Sequence, residues 1–319
     1  MLQTANTQGT SMSITHLHVA DFDRTTDDDV APTPFKSAGT HTSAQYEAAT
    51  QSLWSQWRAD GIPCFTLGLL HEMASLSHQI SKHFKGETQP ECRYLIVRSA
   101  NPNVFNLGGD LGYFQSLIHA GDREKLAEYA TAAVDMAYRN YLGHDIPGLT
   151  TVALLEGDAL GGGFESALSC DVVVVEKHVK AGFPEVLFNM FPGMGGISFL
   201  SRRVGRTTVN ELTSSGRLYS AQELLDLGVV DHVVDTGSGV DAVRQLMRRR
   251  ERREEAHSSM NVVDKLLRPV TRQELHDVVG MWVDRALRLS PRGLEWMKRI
   301  HQQQVATFPT SIRRVAMAA

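Results

Sequence analysis

Cysteine is scarce in this chain: Cys64, Cys92 and Cys170 are the only three in 319 residues. None has CxxC spacing and the three cannot all pair, so neither a disulfide framework nor a cysteine metal site is expected. Cys170 lies in an apolar run and reads as a small buried hydrophobe. This usage fits a reducing, cytoplasmic compartment. A basic excess is also missing, since 32 Lys and Arg face 36 Asp and Glu, for a formal net charge of −4. A dedicated nucleic-acid binder would carry the opposite imbalance. Long apolar runs are absent. The longest, around Val172–Val175, is far too short to span a bilayer, so no membrane insertion is expected. The first residues show no apolar stretch behind a basic start, so no secretory signal is expected. The remaining composition, 42% hydrophobic and 21% charged, is that of a soluble globular protein.

The pattern along the chain predicts three regions. Residues 1–43 are rich in Thr, Ser, Asp and Pro, include Asp27-Asp28-Asp29, and lack periodicity. They are expected to be a disordered tail, with order beginning near Tyr46. Residues 44–238 alternate strands with helices, the mark of an α/β core with mostly parallel strands. Expected strands are 53–57, 94–97, 151–155 and 171–176. Expected helices are 67–84, stopped by Gly86, then 112–119 and 123 to about 141 with Asp122 as its cap. A further helix should follow the glycines at 161–163 and run through Ser169. Residues 239–319 read as a helical region, with helices over 240–257, 272–289 and 291–306. Thr271 and Glu274 have capping-box spacing. The run Arg248 to Arg250 with Arg252 and Arg253 is interleaved with Glu251, Glu254 and Glu255. It reads as a solvated face laced with ion pairs, with docking of an acidic carrier protein as the weaker reading.

Two glycine-rich turns carry chemical interest. Phe105-Asn106-Leu107-Gly108-Gly109-Asp110 follows a strand and precedes a helix, and so does Gly157 to Glu165, with its Gly161-Gly162-Gly163 run. Glycine lets the backbone turn sharply and approach a ligand closely. Free N–H groups at a helix start favour a negative oxygen, and two such turns facing each other would polarise one carbonyl from both sides. Either turn alone reads as packing between strand and helix. Glu165 lies one turn beyond the second run. Glu185 follows Phe183-Pro184 and is the lone acid between Ala181 and Leu200. Burial would raise its pKa into the range useful for proton transfer. A loop glutamate pointing at water is the competing reading, and the residues alone leave both open.

These segments, with Pro184-Glu185 and Pro192-Gly193-Met194-Gly195-Gly196, resemble the crotonase (enoyl-CoA hydratase/isomerase) superfamily signature in its usual order, from about residue 50 to about residue 305. The resemblance implies a crotonase-type ββα spiral core with a C-terminal helical region. It places oxyanion-hole donors on the N–H groups of Gly109 and Gly162, and the catalytic pair on Glu165 and Glu185. The longer segments Val104 to Leu111, Ala159 to Leu168 and Gly182 to Gly195, with Trp282-Val283-Asp284, are most similar to the diffusible signal factor synthases. Those bacterial enzymes make cis-2-unsaturated fatty acid signals from 3-hydroxyacyl thioesters of acyl carrier protein, by dehydration and thioester hydrolysis.

Several expectations follow from this likeness. Glu185 would serve the α-carbon and Glu165 the 3-hydroxyl. Phe183, Val186, Leu187, Phe188 and Met190, clustered around Glu185 in the sequence, are expected to wall a closed acyl pocket, with core packing as the competing reading of the Phe and Met residues. No metal or separate cofactor is needed, because the phosphopantetheine arm belongs to the acyl-ACP or acyl-CoA substrate. A trimer-based homo-oligomer is expected. The alternatives are an ordinary enoyl-CoA hydratase/isomerase on coenzyme A esters and an idle scaffold that binds a sensor histidine kinase. His71, His78 and His83 share a helix without a metal motif, and Ser169-Cys170-Asp171 with His178 lacks a nucleophile elbow. Asp110 is expected to cap the following helix.

Overall fold

Apolar runs without alternation, such as Tyr94 to Val97 and Val172 to Val175, are expected for strands covered on both faces. The computed structural model describes residues 35–85 and 91–308 and shows that cover. Strands β1 (Lys36–Ala38), β2 (Thr42–Glu47) and β3 (Ser52–Trp57) precede helix α1 (Leu67–Phe84). Then come β4 (Tyr94–Ser99), β5 (Val104–Asn106), α2 (Leu111–Ala120) and α3 (Arg123–Tyr141). β6 (Thr150–Leu155), β7 (Asp158–Leu160), α4 (Gly162–Leu168), β8 (Val172–Glu176) and β9 (Lys180–Gly182) follow. A 3-10 turn (Pro184–Phe188) leads to α5 (Gly196–Arg203), α6 (Arg206–Ser214), β10 (Leu218–Ser220), α7 (Ala221–Asp226) and β11 (His232–Val234). The described residues beyond are helical: α8 (Gly239–Arg250), α9 (Glu254–Leu267), α10 (Arg272–Ala286) and α11 (Pro291–Thr307). No helix among the described residues is long and apolar enough to cross a membrane.

The larger sheet has the order β1-β2-β3-β4-β6-β8-β11, with β3 through β11 parallel. Successive side chains sort to opposite faces. Tyr94, Ile96, Val152, Leu154, Val172 and Val174 pack against Val243 and Met247 of α8. Leu95, Val97, Ala153, Leu155, Val173 and Val175 join the main core with the other helices. The smaller sheet has the order β10-β9-β7-β5. Its members β5, β7 and β9 run parallel, so their C-terminal ends emerge together. Each of those ends leads directly into one of the glycine or glutamate segments singled out above.

Expected and observed boundaries agree for α1 to α4, α11 and the central strands, and the main differences have physical reasons. The expected tail falls outside the described residues up to 34, but residues 35–43 are structured. β1 and β2 pair antiparallel with each other and onto β3. The Glu72 carboxylate anchors this hairpin by accepting from the N–H groups of His41 and Thr42 and from the Thr42 hydroxyl. Phe35 is buried beside the rings of His83 and Phe84. Those anchors are long-range, so periodicity could not reveal them. Gly86 lies outside the described residues. The helix expected over 240–257 is broken, because Arg253 leaves helical geometry and α9 starts anew at Glu254. Glu254 turns inward to the Tyr94 hydroxyl, and among the described residues no ion pair links the charges from 248 to 255. The box at Thr271 is half formed, since Thr271 accepts from Glu274 N–H while the Glu274 carboxylate pairs with Arg202. Asp122 caps α3 as expected.

Helix α9 has its polarity reversed. Lys265 faces inward to Asp171 (2.6 Å) and Asn261 to Thr150 (3.4 Å). Met260, Val262, Val263, Leu266 and Leu267 face out, with Leu266 at 76% exposure.

The anchored β1–β2 hairpin gives the first prediction. Phe35→Ala should cost about 3 kcal/mol and lower the thermal midpoint by about 6–12 °C. Thermal unfolding followed by circular dichroism checks this. An unchanged midpoint would return residues 35–43 to the tail.

Candidate active site

The site begins with two turns that only glycine can build. Gly108 has φ of +89°, and a methyl group built on it would lie 2.9 Å from Leu160 O and 3.0 Å from Gly162 N. Gly161 has φ of +51°, and a methyl group there would lie 2.3 Å from Glu185 Oε1. Positive φ strains other residues, and here the space is also taken by neighbouring backbone or carboxylate. The turns after β5 and β7 therefore touch each other. Their contact sets the Gly109 and Gly162 N–H groups side by side, and neither is given to a protein acceptor among the described residues. Gly162 N–H opens α4, where no intrahelical acceptor exists.

The two glutamates reach the same place from different elements. Glu165 sits in the first turn of α4 and is 2% exposed. Its Oε2 accepts from Met194 N–H (2.7 Å) and Gly196 N–H (2.6 Å), which fixes the carboxylate against the turn before α5. Glu185 lies in the 3-10 turn that Pro184 starts. That residue is only partly buried as a whole, yet its Oε2 is shielded from solvent and has no hydrogen-bond partner. Burial pushes both carboxyls above the ordinary 4.5, and for Glu165 the N–H groups of Gly196, Met194 and Gly193 partly offset that rise. For Glu185 the Glu165 charge beside it raises the carboxyl further, and only its own backbone N–H offsets the rise. A single proton on the pair is therefore held chiefly by Glu185.

Gly109, Gly162, Glu165 and Glu185 all line one cavity of about 310 Å³. Its walls are apolar and aromatic, including Phe65, Phe114, Tyr129, Ala133, Trp282 and Ile300. That size and lining suit a small-molecule site. Of the five residues expected to wall an acyl pocket, Leu187 and Phe188 do so and three do not. Phe183 is fully buried against Phe164 (ring centroids 5.3 Å apart). Met190 is buried in the core beyond the left-handed turn at Asn189, and Val186 lies exposed over Gly216. Three residues per 3-10 turn put Glu185 and Phe188 on one face and send Val186 away from it. The real walls come from α2, α3, α10 and α11. Their apolar stripes carried a signal, but it was the same signal as core packing.

The other candidates do not converge. His71 and His78 are exposed on α1, while His83 packs on Phe84. Ser169 donates to Ser166 O, burial pushes the Cys170 thiol up to about 12, and His178 bonds Thr236 instead of either. Asp110 caps α2 by accepting from Tyr113 N–H (3.0 Å).

Comparison with known proteins places these features in context. The family model for enoyl-CoA hydratase/isomerase matches residues 65–280. The mitochondrial methylglutaconyl-CoA hydratase of Mus musculus is 32% identical over 158 residues, covering 49% of this chain and 47% of that protein. The chain thus spans about half the length of that relative. Among solved structures, the enoyl-CoA hydratase from Bacillus halodurans superposes with a TM-score of 0.66 at 16% identity, covering 83% of this chain and 99% of that one. The structure of Pseudomonas aeruginosa DspI superposes with a TM-score of 0.56 at 19% identity, covering 80% and 93%. These two likenesses show the fold.

The raised carboxyls have a consequence for stability. A carboxyl whose folded pKa is raised stabilises the fold fully below the ordinary 4.5 and loses that contribution as pH rises through the raised value. Glu185→Gln stays neutral throughout. Its thermal midpoint should gain on the parent progressively from about pH 5 to about pH 9. A pH-independent difference between the two midpoints would refute the buried, proton-holding Glu185.

Proposed function

The chain belongs to the enoyl-CoA hydratase/isomerase family of the crotonase superfamily, and we propose that it adds and removes water across the C2–C3 bond of an acyl thioester. The observation that carries this reading is the meeting of Glu165 and Glu185 with the Gly109 and Gly162 N–H groups in one apolar cavity. The thioester oxygen takes the place between the two N–H groups, which stabilise the enolate as it forms. In hydration, ionised Glu165 takes a proton from water as the oxygen bonds to C3. Protonated Glu185 then gives its proton to C2. Dehydration runs the same steps backward: Glu185 takes the C2 proton, and Glu165 protonates the departing hydroxyl. Each direction uses one proton on the pair, the state that their mutual repulsion favours.

We further propose that the acyl group is a hydrocarbon chain of medium or greater length. The described cavity lining contains no Lys, Arg or His, so a carboxylated acyl group would have no counter-charge there. The apolar volume and the motif likeness support the finer reading of a cis-2-unsaturated fatty acid signal synthase acting on acyl carrier protein thioesters. There, water activated by the same pair attacks the thioester carbonyl, the C–S bond breaks, and the thiol leaves with a proton. An idle scaffold is less well supported, because it has no use for a buried Glu185 oxygen left without a partner. The outward apolar stripe of α9 supports association between copies of the chain.

Two measurements test these readings. Glu165→Gln and Glu185→Gln should each lower turnover at least about a hundredfold while the fold persists. A variant with near-normal rates removes that residue from the mechanism. Each buried methylene is worth about 0.8 kcal/mol, so four more carbons should raise kcat/KM about two hundredfold. The comparison is 3-hydroxyacyl carrier proteins of increasing length beside crotonyl-CoA, with released acids analysed by mass spectrometry. Free 2-enoic acid supports the synthase. Fast crotonyl-CoA hydration without thioester cleavage overturns it in favour of an ordinary hydratase.

A further inference from the structure

Among the described residues, Tyr129 of α3 is the one phenol that lines the cavity, and it is 2% exposed. A phenylalanine would serve an apolar wall as well, and a buried hydroxyl is costly unless it is fully bonded. Here it is. The hydroxyl donates to the Phe65 carbonyl and accepts from the Asp110 N–H at 3.2 Å. These roles are fixed, because a carbonyl only accepts and an amide N–H only donates. Burial raises this hydroxyl well above the ordinary 10, so it remains a neutral donor.

The two bonds close a ring around Gly109. Phe65 N–H donates to Gly108 O at 2.8 Å. Gly108 O and Gly109 N–H belong to one planar trans peptide and point in opposite directions. Holding the oxygen toward Phe65 therefore aims the Gly109 N–H the other way, beside Gly162 N–H. The next peptide, between Gly109 and Asp110, is held by its N–H on the Tyr129 hydroxyl. Tyr129 thus grips the Gly109 turn from its far side and also grips Phe65, the strut that holds its near side. Glycine at 108 and 109 leaves this turn with little stiffness of its own. Asp110 cannot supply the missing restraint, because its carboxylate is engaged by Tyr113 N–H as the α2 cap.

We propose that Tyr129 is a positioning residue whose hydroxyl sets the direction of the Gly109 N–H toward the substrate oxygen. This rests on the oxyanion-hole reading above. Tyr129→Phe keeps the ring and removes the hydroxyl that joins Asp110 N–H to Phe65 O, leaving only the weaker direct pairing of those two groups in the Phe65–Gly109 bridge. Misdirection of one donor should lower kcat between about tenfold and about a hundredfold, with KM changed by less than about threefold.

A merely structural hydroxyl would alter stability without altering carbonyl polarisation, so the deciding readout is spectroscopic. Infrared difference spectra of a bound 2-enoyl thioester, with its carbonyl carbon labelled, report how strongly the carbonyl is polarised. The parent protein should shift the band to lower frequency and Tyr129→Phe should shift it less. An equal shift with undiminished kcat in the variant overturns the role of Tyr129. Absence of a shift in the parent instead overturns the oxyanion hole itself, so the two failures are distinct. Should Tyr129→Phe fail to fold, 3-fluorotyrosine at position 129 keeps ring and hydroxyl while weakening the hydroxyl as acceptor. A lower kcat with a smaller band shift then supports the proposal, and unchanged values overturn it.

Discussion

The site depends on two glycine turns that touch without side chains between them. Any Cβ on Gly108 would strike the backbone of the opposite turn, and any Cβ on Gly161 would strike the Glu185 carboxylate. This contact leaves two amide donors without a protein acceptor among the described residues, beside an apolar space. Unpaired donors are costly in such a place, and the cost is recovered when a negative oxygen arrives. The parallel run of β5, β7 and β9 makes the contact possible, because it delivers three separate chain segments to one end of the smaller sheet. Short strands suffice here, since their task is to aim the turns, and the larger sheet and its helices supply the bulk of the core.

The acid pair extends the same logic. One carboxylate is clasped by backbone N–H groups and the other is left bare, so two identical side chains acquire different affinities for a proton. Environment, and not residue type, divides their roles. The proposed chemistry needs that division, because water must be split between an acceptor at C3 and a donor at C2.

Much of this was legible in the sequence, because local motifs carried a family resemblance that the residues taken singly did not settle. Gly108-Gly109, Gly161 to Gly163, Glu165 and Glu185 stand in contiguous motifs whose spacing is fixed by single turns. Long helices such as α1 and α3 announced themselves through caps and apolar stripes. The short strands β5, β7, β9 and β10, of three residues each, were invisible because so few residues show no period. The cavity wall was misplaced for a related reason. Proximity in sequence to Glu185 suggested Phe183 and Met190, whereas the cavity draws on Phe114, Tyr129 and Trp282 from distant helices. Tyr129 was missed altogether, since its hydroxyl bonds join residues 65 and 110, far from it along the chain.

The bare oxygen of Glu185 has one more consequence. It has no hydrogen-bond partner among the described residues, and solvent does not reach it. In the proposed dehydration, a deuteron lifted from C2 would come to rest on that carboxyl, where exchange with bulk water is slow. Reversal of the step would then return the same isotope to the same carbon. The cavity would hold an isotopic memory of its substrate, and the rate at which that memory fades would report how often water enters.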